Sequence, residues 1–261
     1  MAAGVVLHAL SGGRLDTRRA MLFVDAGPDE TMTLPIGCWL VEHPRGRLLF
    51  DTGLHPDAAA DPVGRLGRGV ARRFAVTSAP GDDAVASLAR LGVAADDVTH
   101  VVNSHLHFDH CGCNRCFPRA RVLVQRAELD AAIAVRDAAP LVPRDWDDPA
   151  RPPETVDGEH DVFGDGTVVL VPTPGHTPGH QSLRATTTSG RMVVLAGDAI
   201  YTRRHLDDDA LPPEGAVWHA ATMSDSMARL RAMRDRGRAL LVFGHDEDQW
   251  RELVAAGGRI D

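Results

Sequence analysis

Three imidazoles and a carboxylate fall within the six residues His105-Leu106-His107-Phe108-Asp109-His110, directly after the apolar pair Val101-Val102. Each of these groups needs a partner once it is desolvated, so the stretch is poor material for a core strand or an amphipathic helix. A metal ion is the partner that suits these residue types. If the strand persists that far, His105 and His107 project to one side and reach one cation, while Asp109 and His110 on the following turn reach another. A lone H-x-H would read better as a solvated strand end. The full H-x-H-x-D-H, with further histidines and aspartates downstream where they are needed, reads as a site for two metals.

With 261 residues, 44% of them hydrophobic, and no break in composition, the chain is expected to form one domain over residues 1–261. The start, MAAGVVLHALSGG, lacks a basic leader region, and no apolar run is long enough to span a bilayer, so a soluble cytoplasmic protein is expected. A net charge of −8 argues against nucleic acid as the main partner. All 28 basic residues are arginine, which excludes Schiff-base chemistry and a phosphate-binding Walker lysine. No G-x-S-x-G elbow is present for a serine hydrolase. Cys111, Cys113 and Cys116 form a C-x-C-x-x-C cluster that offers a structural zinc three ligands, but no fourth is near. With Cys38 they read as small buried residues rather than a disulfide framework.

Along the chain, short apolar runs predict strands at Val5–Ala9 and Ala20–Val24, then a hairpin pairing Cys38–Glu42 with Arg47–Phe50 around His43-Pro44-Arg45-Gly46. Asp51, which follows, either caps a turn or supports the metal site, and the spacing of the later motifs favours support. Residues 54–80, rich in glycine and arginine, read as an irregular segment, either a mobile cover over the site or solvated surface. Asp82-Asp83 and Gly92 bracket a helix carrying Val85, Leu88 and Leu91, which leads into a strand over Val98–Val102. A strand at Arg121–Val124, a helix at Ala127–Arg136 and a long loop from Ala139 to Gly166 come next. Val168–Val171 then runs into the rigid turn Thr173-Pro174-Gly175-His176-Thr177-Pro178-Gly179-His180. A hairpin of Gln181–Thr186 and Met192–Leu195, a helix near Ala221–Arg234 with Met223, Met227 and Leu230 on one face, and a strand at Leu240–Phe243 complete the series.

The four motifs HLHFDH, TPGHTPGHQS, GDAIY and FGHD, each at the end of an apolar run, resemble the metallo-β-lactamase superfamily, and within it the N-acyl homoserine lactone lactonases. The similarity extends to an early LPIGCWLVE followed by LLFDTG and covers nearly the whole chain. It implies an α/β fold, an αββα sandwich of two mixed sheets flanked by helices. It also implies a first metal on His105, His107 and His180, a second on Asp109, His110 and His245, and Asp198 as the bridge. His176 is left as a turn residue. The two divalent ions are expected to be zinc, although iron, cobalt or manganese suit the same donors.

Tyr201, the only tyrosine, lies three residues after Asp198 and matches the lactonase D-x-x-Y pattern. The resemblance therefore implies a lactonase acting on a small-molecule lactone, most simply an N-acyl homoserine lactone, in quorum quenching. Cations about 3.5 to 4 Å apart can share a water and lower its pKa toward roughly 7, giving a hydroxide that attacks the ester carbonyl. Tyr201 would stabilise the oxyanion, Asp109 would carry a proton to the leaving oxygen, and Phe108 would wall the substrate site. Three alternatives stand beside this: a lactonase for another ring, such as a pyridoxine-derived lactone, a glyoxalase-type thioesterase, and a metal-dependent sensing module. A periplasmic β-lactamase is disfavoured because the second site has no cysteine ligand. A glyoxalase-type enzyme is disfavoured because little chain follows His245 to form a glutathione-binding extension.

Overall fold

The first two strands pair along most of their length, the first alternating roughly between buried and half-buried positions and the second buried over most of its residues. In the computed structural model, which describes residues 4–136 and 138–261, β1 (Val6–Arg18) runs antiparallel to β2 (Thr31–His43), from Val6 opposite Glu42 to Arg18 opposite Thr31. The register shifts between Ser11 and Arg14, at Gly12-Gly13. Glycine is required there because a Cβ on Gly12 would sit 2.5 Å from Cys38 Sγ and 2.9 Å from Gly53 Cα. The expected hairpin then brings β3 (Gly46–Phe50) back along β2, with His43 opposite Gly46.

A short β4 (Phe74–Val76) pairs with β1. β5 (His100–Val102), β6 (Arg121–Gln125) and β7 (Glu154–Val156) extend the sheet in parallel from β3. The second sheet contains β8 (His160–Asp161), β9 (Val168–Pro172), β10 (Gln181–Thr186), β11 (Met192–Leu195) and β12 (Leu240–Val242). It is antiparallel except where β12 joins β11 in parallel. β13 (Arg259–Ile260) returns to pair with β1. Both sheets are therefore mixed.

The inner faces meet in a core where Val41, Leu48, Phe50 and Val102 of the first sheet join Leu170, Leu183, Val193 and Leu195 of the second. Helix Ala84–Arg90 covers the outside of the first sheet, burying Leu88 with Leu40, Leu49 and Val101. Helix Ala220–Gly237 covers the second, burying Met223, Met227 and Leu230 with Val194 and Leu241. This is the αββα arrangement, and the methionine stripe is core packing.

Three expectations change. Ala20–Val24 is not a strand: residues Arg19–Met21 form a 3₁₀ turn, and Leu22 and Phe23 are buried with Tyr201 and Leu206. That apolar run serves packing beneath the site rather than a ladder. Residues 54–80 are not wholly irregular or solvated. They form short helices, including Pro62–Leu66, and buried Arg65 pairs with buried Asp145 and donates to the Gly112 carbonyl at 3.2 Å. The span Ala139–Gly166 holds a helix at Pro143–Trp146 as well as β7 and β8. No helix among the described residues is long and apolar enough to cross a membrane.

Gly179 is where the turn after β9 meets the helix Arg126–Ala134 most closely. A Cβ there would lie 2.1 Å from the Glu128 nitrogen and 2.6 Å from its Cα, atoms that cannot swing away. Gly179→Ala should therefore destabilise the protein by about 1 to 3 kcal/mol, read as a lower midpoint in thermal or urea unfolding. An unchanged midpoint would mean that the turn and helix are not packed this tightly.

Candidate metal centre

Every residue of the centre follows the C-terminal end of a strand: Asp51 after β3, His105 to His110 after β5, His176 and His180 after β9, Asp198 after β11 and His245 after β12. The ends of both sheets thus supply the site, and the connecting turns bend toward one point. β5 stops at Val102, so His105 and His107 do not project from a strand. They lie on the irregular stretch leading into the short helix Phe108–Cys111, which carries Asp109 and His110.

Asp198 stands between two groups of imidazoles. Its Oδ2 faces His176 Nε2 at 3.3 Å and His105 Nε2 at 3.9 Å, while its Oδ1 faces His245 Nε2 at 3.0 Å and His110 Nε2 at 3.3 Å. On the first side, His176 Nε2 lies 3.2 Å from His105 Nε2 and 3.1 Å from His107 Nδ1. On the second, Asp109 Oδ2 lies 3.7 Å from His110 Nε2 and 3.9 Å from His245 Nε2. Ligand-capable atoms converge within 4.8 Å of one another in three overlapping sets: His105, His107 and His176; His105, His110 and Asp198; and Asp109, His110 and His245.

The expectation for the two histidines of the TPGHTPGH turn is corrected. His176, expected to be a turn residue, is the one whose Nε2 joins His105 and His107. His180, expected in that place, has both ring nitrogens engaged elsewhere: Nε2 accepts the Asp198 backbone N–H at 3.0 Å, and Nδ1 shares a hydrogen bond with Thr173 Oγ1 at 2.9 Å. His180 thus holds the backbone of Asp198 in place.

The surrounding residues fix the others. Asp51, in a left-handed conformation with φ 58°, accepts from Ser104 N–H at 2.7 Å and Ser104 Oγ at 2.8 Å, and its Oδ2 lies 2.8 Å from His110 Nδ1. It supports the site, the role its spacing favoured. His245 Nδ1 lies 3.1 Å from the Pro35 carbonyl. Glu128, missed in the sequence, is buried and accepts from Leu106 N–H at 3.0 Å and Gly179 N–H at 3.1 Å, tying the two histidine-bearing turns together. With Arg126 and Asp130 on the same helix, Glu128 carries no signal in the sequence that separates it from a solvated surface carboxylate.

Burial, reinforced by neighbouring imidazoles, holds His105 and His107 well below the ordinary histidine range and brings His176 to about 4. Burial opposes charge on His110 and His245 too, but Asp198 and Asp109 outweigh it and hold both above that range. The first group is thus a set of neutral donors, and the second is richer in carboxylate.

His110 Nε2 and Asp198 Oδ1 are buried without a hydrogen-bond partner, which is costly unless a third species lies between them. Neutral imidazoles and converging carboxylates are the donors that divalent cations take, so the residues fit metal ions. No such group of three forms around Cys111, Cys113 and Cys116 among the described residues. Cys111 and Cys113 are simply buried.

Beside the cluster lies a cavity of about 160 Å³, lined on one side by His107, Asp109, Asp198 and His245 and on the other by Met21, Leu22, Phe74 and Phe108. Tyr201 also lines it, with its hydroxyl 2.8 Å from His176 Nδ1. Burial, with Asp198 and Asp109 nearby, pushes the phenol well above its ordinary pKa, so it stays protonated.

Known proteins resemble this chain along nearly its whole length. The chain is 33% identical over 261 residues to the N-acyl homoserine lactonase AttM of Azorhizobium caulinodans, covering 98% of each chain. It is 32% identical over 248 residues to the N-acyl homoserine lactonase AiiA of Bacillus thuringiensis subsp. kurstaki, covering 93% of this chain and 94% of the other. A solved N-acyl homoserine lactone hydrolase, with the product N-hexanoyl-L-homoserine at its catalytic metal centre, superposes with a TM-score of 0.84 at 29% identity, covering 97% of both chains. Residues 33–245 match the family model of the metallo-beta-lactamase superfamily, and the chain belongs to that superfamily.

Proposed function

We propose that this protein is a dinuclear metal hydrolase that opens the ring of N-acyl homoserine lactones. One ion would be held by His105, His107 and His176, the other by Asp109, His110 and His245, with Asp198 shared. The observation that carries the reading is the Asp198 carboxylate, whose two oxygens face separate imidazole groups beside a cavity lined by Tyr201 and Phe108. The substrate class is taken from relatives at 32% and 33% identity. Zinc is the ion proposed, and a cytoplasmic location and a role in quorum quenching belong to the same proposal.

Such ions would polarise the ester carbonyl and make water a competent nucleophile near neutral pH. The chain's own residues orient the substrate and handle protons. If His176 uses Nε2 for a metal, its Nδ1 carries the proton and donates to the Tyr201 oxygen. The phenol proton is then free to donate to the substrate carbonyl oxygen, where charge develops. Burial raises the pKa of Asp109, against the opposing pull of His110 and His245. A bound cation would oppose that rise, so it is the place of Asp109 on the cavity wall that suits it to carry a proton to the leaving ring oxygen. Phe108, packed on Phe74 with ring centroids 5.6 Å apart, keeps the cavity wall apolar.

Metal content should be two per chain at mildly alkaline pH. His110 and His245 hold protons more tightly than ordinary histidines, so their protons compete with metal as pH falls, whereas His105, His107 and His176 are already neutral. Dialysis from pH of about 8 to about 6, followed by elemental analysis, should therefore show a step from two metals to one before the last is lost. A single tightly held metal in fully active protein would exclude the dinuclear reading.

Tyr201→Phe should keep the fold and the metal content while lowering turnover by on the order of ten- to a thousandfold, the usual loss for one oxyanion donor. An unchanged kcat would return Tyr201 to a packing role.

Metal-loaded protein should release one acid equivalent for each acyl homoserine lactone consumed, followed by pH-stat titration beside a pyridoxine-derived lactone, a β-lactam and a glutathione thioester. Rapid release from the other lactone alone would overturn the substrate and keep the mechanism.

A further inference from the structure

Cys113 and Cys116 bracket a single tight turn just beyond the metal cluster. The 3₁₀ turn Asn114–Cys116 starts from Cys113, and the Cys116 N–H closes it on the Cys113 carbonyl at 2.8 Å. At three residues per turn, side chains at i and i+3 stand one above the other, so both thiols leave the same side of it. A chain reversed in this way brings the two Cα atoms within about 7 Å, the separation that a disulfide spans. Both side chains pack on one apolar cluster with Cys38, Leu40 and Leu49. Cys111 faces a different cluster, with Leu106 and Trp146, and its thiol donates to the Leu106 carbonyl at 3.4 Å.

The two thiols are unequal. Cys113 is buried and donates to the Leu54 carbonyl at 3.5 Å, whereas Cys116 is half-buried, near the exposed residues Arg115 and Pro118. Hydrogen bonding from Cys113 lowers the pKa of the Cys116 thiol, against burial, which raises it. The same contact, with burial, holds the Cys113 thiol well above the ordinary cysteine range. Such a pair suits one sulfur to meet an oxidant and the other to resolve the product. The turn also carries Asn114, which is built into the support of His110. Its Oδ1 accepts from Thr52 Oγ1 at 3.0 Å and from Asn103 Nδ2 at 3.1 Å, and Thr52 N–H donates to the His110 carbonyl at 2.7 Å. Cys113 N–H donates to Thr52 Oγ1 at 3.1 Å.

We propose that Cys113 and Cys116 form a reversible dithiol–disulfide site, oxidised through Cys116 by hydrogen peroxide, and that closing the bond loosens the hold of this turn on His110. The Cys116 thiolate attacks one peroxide oxygen and the O–O bond breaks. Hydroxide leaves and takes up the proton that the thiol released, forming water. The Cys113 sulfur then attacks the sulfenic sulfur of Cys116, the S–O bond breaks, and hydroxide departs with the Cys113 proton as a second water. Two electrons pass from the sulfurs to the peroxide, and an added dithiol returns them by exchange. The bond takes the Cys113 S–H from the Leu54 carbonyl and shifts the turn on which Asn114 sits. The coupling to His110 rests on the dinuclear reading above, whereas the disulfide itself does not.

The test treats metal-loaded protein with hydrogen peroxide, then alkylates, denatures and digests it with trypsin. Arg115 separates the two cysteines, so the disulfide joins the peptide Leu91–Arg115 to Cys116–Arg119 in the mass spectrum, and a dithiol parts them. Fragmentation of the linked peptides should place the bond at Cys113 rather than Cys111, without any variant having to fold. Cys116→Ser should leave Cys113 a free thiol, and Cys113→Ser should stop at a Cys116 sulfenic acid that dimedone traps. No linked peptide, or one bonded through Cys111, would overturn the site. In a chelator titration, the oxidised protein should release one of its two metals at roughly tenfold lower chelator concentration, the usual scale for a disturbed supporting contact, and a dithiol should reverse this. Equal retention after oxidation, or the same loss in Cys116→Ser, would overturn the coupling to His110. Protein that never holds two metals would remove the dinuclear reading and the coupling with it, and the peptide map alone would decide the disulfide.

Discussion

One carboxylate, that of Asp198, lies within 3.9 Å of the nitrogens of four imidazoles from three separate segments of the chain. In a buried site, an uncompensated charge costs several kcal/mol, so the groups around it must be placed closely enough to balance it or to share a cation with it. That requirement accounts for the arrangement of the strand ends. Five strands from two sheets stop short of the site, and their following turns carry the imidazoles and carboxylates inward, because turns can bring polar groups to a point that the flat faces of the sheets keep apolar.

Around this centre, neighbouring groups remove freedom from nearly every imidazole. Asp51 fixes His110, the Pro35 carbonyl faces His245, Ser104 Oγ lies 3.0 Å from His105 Nδ1, and Tyr201 meets His176. Each contact constrains which ring nitrogen faces the cluster, and so which can donate a lone pair. Glu128 does the same for the backbone by binding one N–H from each of the two histidine turns. In the proposed mechanism the Tyr201–His176 contact also joins substrate handling to the geometry of the cluster: with the imidazole proton on Nδ1, the phenol proton is free to act in the cavity.

Much of this was legible in the sequence because it is written in local patterns. Alternating apolar runs marked most strands, Asp83 and Gly92 bracketed a helix whose Asp83 side chain does cap Ala86 N–H at 2.8 Å, and the hairpin at His43 to Gly46 formed as expected. The apolar run at Ala20 to Val24 misled because apolarity records burial and not the partner: its Leu22 and Phe23 pack under Tyr201 with no strand beside them. Arg65 misled in the opposite sense. A charged residue in a glycine-rich segment reads as solvated, and only Asp145, 80 residues away, makes its burial tolerable.

By itself the sequence determined the family of the fold and which histidine and aspartate motifs would gather at one place, since residue type and spacing within a motif are local facts. Only the tertiary structure decided between His176 and His180. Both stand in one rigid turn, four residues apart, with the same side chain, and no spacing separates them. The difference arises where β11 ends: the Asp198 backbone N–H reaches His180 Nε2 and takes its lone pair, leaving His176 Nε2 to face His105 and His107. A hydrogen bond between segments 18 residues apart is set by the packing of two strands, which neither segment encodes alone.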